Sequence, residues 1–135
     1  MSRYSKTLSI KEIERPLSND IEEEVAWLCK CLGFSDEKED VATDIFKELL
    51  TALYEHKGIS TKEVKTRRQV TRGAIVYHLN QFMRSGLVVK KGRAYYLREL
   101  SLSRTLEEVE EDFLRMIKRM RDIAKDIDDQ MTRQE

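Results

Sequence analysis

Apolar residues recur at helical spacing along most of the chain and crowd into strand-like runs in one short stretch. Ile21, Val25, Leu28 and Leu32 mark one face of a helix over Ile21 to Leu32. Ser18-Asn19-Asp20 offers its N-cap, Glu22, Glu23 and Glu24 sit where the helix dipole favours acids, and Gly33 is placed to stop it. Val41, Ile45, Leu49 and Leu53, widened by Phe46 and Leu50, predict a second helix from Asp36 to His56, ended by Lys57-Gly58. Residues 1–20 show no sustained period before Ile21 and hold the only proline, Pro16, so they read as an N-terminal arm.

The next segment carries two helix starts in close succession. Ser60-Thr61-Lys62-Glu63 has the form of a capping box and predicts a short helix to Arg67 or Arg68. Thr71 opens another that runs to Ser85, with Gly86 as its left-handed terminator and Leu87 folding back on its last turn. Two helices joined by about four residues make a helix-turn-helix. Leu87 to Lys90 and Ala94 to Arg98 then read as two strands turned at Lys91-Gly92-Arg93, a hairpin placed as a wing with a cationic tip of Lys90, Lys91 and Arg93.

From Ser103 to Gln130 the pattern is a single long helix. With Leu106 at heptad position a, the a positions are Leu106, Phe113, Met120 and Ile127, and the d positions Val109, Met116 and Ile123, with Gln130 the polar exception. Ile117, Ala124 and Met131 at e broaden the stripe. Such a helix is about 40 Å long, more than a domain this small can cover, so the expectation is a coiled-coil-like dimer interface of Leu106, Val109, Phe113, Met116, Ile117, Met120, Ile123 and Ile127, joined by the helix of residues 21–32. The expected fold class is mainly α with a small β-hairpin. It divides into the arm, a winged helix-turn-helix unit over residues 21–100 and the dimerisation helix over 101–135.

Composition changes this picture only when its charges are placed. The 135 residues carry 25 Lys plus Arg and 25 Asp plus Glu, which taken as a sum argues against a polyanionic partner. Residues 1–56 hold 7 basic and 13 acidic side chains (−6), residues 57–98 hold 11 and 1 (+10), and residues 99–135 hold 7 and 11 (−4). The neutral total conceals a 42-residue block with the footprint of a nucleic-acid binder. Taking Leu79 as the centre of the buried face of the helix over 71–85 puts Ile75, Val76, Phe82 and Met83 with it. Gly73, Ala74, Tyr77, Gln81 and Arg84 then point away, forming a donor-rich face without an acid. These five are the expected base readers: Gln81 suits an adenine edge, Arg84 a guanine or a phosphate, Ala74 a thymine methyl. His78 lies on the flank and reads as a structural hydrogen-bonder. Lys62, Lys65, Arg67, Arg68, Thr71 and Arg72 are expected on the phosphate backbone.

With these elements in order, residues 44–98 resemble the winged helix-turn-helix domains of bacterial and archaeal transcription regulators, closest to the ArsR and MarR groups. The residues that carry the resemblance are His78-Leu79 in mid-helix, Ser85-Gly86-Leu87-Val88 leading out of it, and Lys91-Gly92-Arg93-Ala94-Tyr95-Tyr96-Leu97. The resemblance implies a dimeric, sequence-specific regulator of double-stranded DNA. An alternative use of such a domain is docking a protein or a structured RNA in a larger assembly.

Other chemistries find little footing. Cys29-Lys30-Cys31 matches the Cys-x-Cys pair of metal-sensing ArsR-like proteins, but it precedes the helix-turn-helix by a whole helix, and residues two apart on a helix diverge by about 200°. Half-buried structural cysteines are therefore expected, with no metal and no cofactor. Two histidines and no phosphate loop or nucleophile elbow leave no enzyme to propose. No apolar run reaches the roughly 20 residues needed to cross a bilayer and no signal-peptide core is evident, so a cytoplasmic protein is expected.

Overall fold

The computed structural model describes residues 6–35 and 41–133, so the predicted start of the second helix and the first five residues of the arm lie outside the described residues. The elements are α1 (Ile21–Cys31), α2 (Val41–Tyr54), α3 (Arg72–Ser85), β1 (Val88–Lys91), β2 (Ala94–Leu97) and α4 (Leu102–Arg133). The fold is mainly helical with one antiparallel hairpin, in register from Val88 opposite Leu97 to Lys91 opposite Ala94. Ile59 adds a single bridge to the outer edge of β2, exchanging both backbone hydrogen bonds with Tyr95 at 2.9 and 2.8 Å. No helix among the described residues is long and apolar enough to cross a membrane.

The core lies where α1, α2, α3 and the hairpin meet, around Phe46, Phe82, Ile45, Leu49, Leu79 and Leu87, all essentially without solvent contact. Phe82 anchors it, meeting the rings of Phe34 at 4.8 Å and Phe46 at 5.7 Å edge-on. The lead-in over residues 6–20 is no free arm. Thr7 N–H donates to the Arg84 carbonyl, Lys11 N–H to that of Cys31, and Trp27 Nε1 to that of Ile13, which tie it across the ends of α3 and α1.

The first three helices end alike. In each, the second residue past the cap donates to a carbonyl five back and the first to one three back, the double bond of a Schellman motif: Phe34 to Cys29 and Gly33 to Lys30, Lys57 to Ala52 and His56 to Leu53, Leu87 to Phe82 and Gly86 to Met83. The left-handed residue is Gly33 (φ 78°) and Gly86 (φ 88°) in α1 and α3, as anticipated, but in α2 it is His56 (φ 59°). Gly58, expected to stop α2, serves packing instead: a Cβ there would lie 2.5 Å from the Tyr96 ring. A left-handed β-carbon costs about 1 kcal/mol or more, partly offset by the entropy glycine loses on folding. His56→Gly is therefore expected to stabilise the protein by about 0.5–1 kcal/mol, read as a raised urea midpoint at unchanged slope.

Two expectations fail here. The short helix from Ser60 to Arg68 does not form, and only a turn over residues 61–63 is present. Half of the capping box survives, with Ser60 N–H donating to Glu63 Oε1 at 2.8 Å, a bond that holds the Glu63 carboxyl below its ordinary value. Beyond it the backbone N–H groups that would continue a helix are taken by acids of α2. Lys65 N–H donates to Glu48 Oε1 (3.2 Å) and Arg67 N–H to Asp44 Oδ2 (2.9 Å), which pins residues 64–70 as a non-helical strap on α2.

The second concerns α4. Val109, expected at a dimer seam, is 3% exposed within its own domain, and Leu106 and Phe113 also pack on that core. The root of the helix is thus internal packing, because its buried stripe of Thr105, Val109 and Asp112 is turned toward the domain. Met116 is half-buried, while Ile117, Met120, Ile123 and Ile127 remain 50–67% exposed on the projecting part.

Candidate nucleic-acid interface

Helix α3 is amphipathic along the predicted line. Ile75, Leu79, Phe82 and Ser85 are buried, while Gly73, Tyr77 and Arg84 are exposed and Ala74 and Gln81 half-buried. Tyr77 stands 60% exposed with its ring edge-on to His78 at 5.3 Å. Thr71 caps the helix, its hydroxyl accepting from Ala74 N–H at 3.1 Å. That leaves Thr71 a structural duty beside the phosphate contact expected of it.

The hairpin meets the start of α3 across a cleft of about 640 Å³. Four cations reach it from three separate segments: Lys62 from the turn after Ile59, Arg72 from the first residue of α3, and Lys90 and Arg93 from the hairpin. Among the described residues no acid lines the cleft, and its walls also include Ser60, Thr61, Val76 and Tyr95. Tyr95 is buried as the floor, and the Lys90 ammonium lies 5.3 Å from its ring centre, which holds the charge over an aromatic face. Sequence reasoning did not pick out Ser60, Thr61, Val76 or Tyr95. The only available signal was strand alternation, which puts Tyr95 and Lys90 on one face as cross-strand partners.

That alternation also divides the expected tip cluster. Lys91 belongs to the opposite face, with its ammonium 5.5 Å from the Tyr96 ring and beside Leu53 and His56. Gly92 (φ 62°) makes the turn, and a two-residue loop with glycine in its first position suits the twist of the strands.

Not every cation of the +10 block is available. Arg67 was expected on a phosphate, but its guanidinium grips buried Asp44, with Nε 2.8 Å and Nη2 2.7 Å from Oδ1. Arg98 is bound to Asp112 at 2.6 Å, and Lys57 faces Glu55 at 3.4 Å. Removing these three from 11 leaves Lys62, Lys65, Arg68, Arg72, Arg84, Lys90, Lys91 and Arg93, none of which ion-pairs with an acid among the described residues.

Cys29 is fully buried against the core and Cys31 half-buried at the end of α1. Burial pushes the Cys31 thiol up, against a backbone hydrogen bond at Ile13 that lowers it, so the thiolate a metal would need is disfavoured. Among the described residues no three His, Cys, Asp or Glu side chains are grouped to hold a metal ion. No protein-family model, curated protein or solved structure matches the chain.

Proposed function

We propose that the chain is a sequence-specific, double-stranded DNA-binding transcription regulator of the winged helix-turn-helix type, acting as a homodimer. The observation that carries this is the acid-free cleft where Lys62, Arg72, Lys90 and Arg93 converge beside the exposed face of α3. Helix α3 enters the major groove, with Gly73, Ala74, Tyr77, Gln81 and Arg84 on the side presented to base edges. Arg72 and the unsatisfied N–H groups at the start of α3 take a phosphate, and the β1–β2 hairpin lies as a wing on the adjacent backbone or minor groove. The projecting part of α4 joins two copies, so that two α3 helices address half-sites about one DNA turn, roughly 34 Å, apart. The acidic segments on either side of the basic block keep the rest of the surface off DNA.

The test is a salt series of binding to random and selected duplexes. The expected result is an affinity for duplex DNA that falls steeply and log-linearly with salt, with selected fragments showing a two-fold-related site. Absence of binding, or binding indifferent to salt, would remove the proposal. Preference for structured RNA over duplex DNA of equal length would move the same cleft to an RNA partner.

A further inference from the structure

Resting on the homodimer proposed above, the geometry points to an antiparallel pairing of two α4 helices, centred between Met120 and Ile123, in which Arg119 of each copy meets Asp126 of the other. Two independent features of α4 lead there: its flanking charges and the groove at its root.

The charges come first. Along the apolar stripe, an antiparallel pair brings position a of one helix against position d of the other, so Met120 meets Ile123, the half-buried Met116 meets Ile127, and the partner's Gln130 reaches the edge of Phe113, which is partly packed on its own core. The flanks then pair like with like, g beside g and e beside e. On the g side this sets Arg119 against Asp126 of the second copy, and by symmetry Asp126 against its Arg119. On the e side it sets Ile117 against Ala124, an apolar contact. A parallel pair would instead lay g against e, placing Arg119 beside Ala124 and Asp126 beside Met131, with no charge answered. Arg119 and Asp126 are both exposed and have no ion-pair partner among the described residues, whereas Arg115, one turn earlier, is held by Asp112 at 2.5 Å.

The second feature is an apolar groove of about 590 Å³ along the root of α4, lined by Leu8, Ile10, Leu106, Phe113, Leu114 and Ile117. It lies on the e side of the helix and runs directly into the exposed stripe at Ile117. In the antiparallel register the last turns of the second helix, with Ile127 and Met131, come back to the level of Met116 and Asp112 and so reach this groove. The overlap from residue 113 to 131 is about 28 Å long. Side by side in parallel, the two far ends would meet each other, and Ile127 and Met131 would lie away from both grooves.

The experiment is sedimentation equilibrium of the full chain with Arg119→Asp, Asp126→Arg and the double variant, at 0.15 M salt, where screening within about 8 Å leaves only contacting charges to act. Each single variant puts two like-charge contacts in place of two attractive ones and is expected to weaken self-association about tenfold or more. The double variant, and an equimolar mixture of the two single variants, are expected to recover it, the mixture as a heterodimer with both contacts attractive. Recovery by mixing isolates contact between copies from any effect within one helix. A native dimer whose single variants are not rescued in either way would overturn the antiparallel pairing and leave the homodimer standing. A native chain that stays monomeric would overturn both, while DNA binding is judged by the salt series.

Discussion

Asp112→Ala is expected to lower the stability of the fold by about 2–4 kcal/mol. Asp112 is 5% exposed on α4 and gathers cations from three directions: Arg98 from the end of the hairpin at 2.6 Å, Lys6 from the lead-in at 3.1 Å and Arg115 from its own helix at 2.5 Å. Arg98 also points at the Gly86 carbonyl, so one carboxylate joins α4, the hairpin and the end of α3. Lys6 and Arg115 reach water and lose little when the acid is removed. Arg98 is the residue left costly, a mostly buried guanidinium that loses its close carboxylate partner and keeps only Glu108 at 3.9 Å.

The same group sets an acid limit. Burial pushes the Asp112 carboxyl up, but hydrogen bonds from Arg98 and Lys6 outweigh it and hold it below the ordinary carboxylate value. A carboxyl depressed on folding contributes its full stability above its unfolded value near 3.9, and loses it as the pH falls through the folded value. Urea titrations of the native chain and Asp112→Asn should differ fully at pH 6, with the gap beginning to close below about pH 4 and vanishing only once the pH is below the folded value. An equal gap at both pH values would show that Asp112 acts through packing and not charge.

Replacing Arg72, Lys90 and Arg93 together by alanine is expected to lower duplex affinity roughly 500-fold at 0.1 M salt and to flatten the log–log salt slope by about 2.7. Each phosphate contact contributes about 0.9 to that slope, hence about eightfold between 1 M and 0.1 M salt, and three contacts multiply. These three residues share the cleft and form no ion pair in the described residues, so their loss leaves no buried partner stranded. Arg67→Ala is the contrasting control. Its guanidinium is committed to Asp44, so it should cost stability while leaving the salt slope of the folded protein unchanged. A slope that drops as much for Arg67 as for the cleft residues would place the DNA elsewhere.

Most elements were legible because their signals are local. Thr71 and Gly86 bracket α3, and Gly33 ends α1, since capping and left-handed backbone are decided within one turn of chain. The hairpin followed from β-rich runs around Gly92, and the buried face of α3 from its 100° periodicity. The candidate site was legible as composition: a +10 block with an acid-free helix face inside it. What could not be read was which of its cations had already been taken, since Asp44 lies 23 residues from Arg67 and Asp112 lies 14 from Arg98.

By itself the sequence determined the kind and order of the six elements that form among the described residues, their ends at most positions, and the separation of charge into flank, basic block and flank. Each of these depends on neighbours a few residues away, whose effects a linear reading contains. Only the tertiary structure decided that residues 64–70 lie strapped to α2 by Glu48 and Asp44 and do not form a helix. It alone divided α4 into a root inside its own core and an exposed far half. It also separated Lys90 from Lys91 and gathered Lys62, Arg72, Lys90 and Arg93 around one cleft. The physical reason is common to all three: a backbone N–H, an apolar side chain or a cation is settled by whichever partner the fold brings within reach, and that partner can lie far away in the chain.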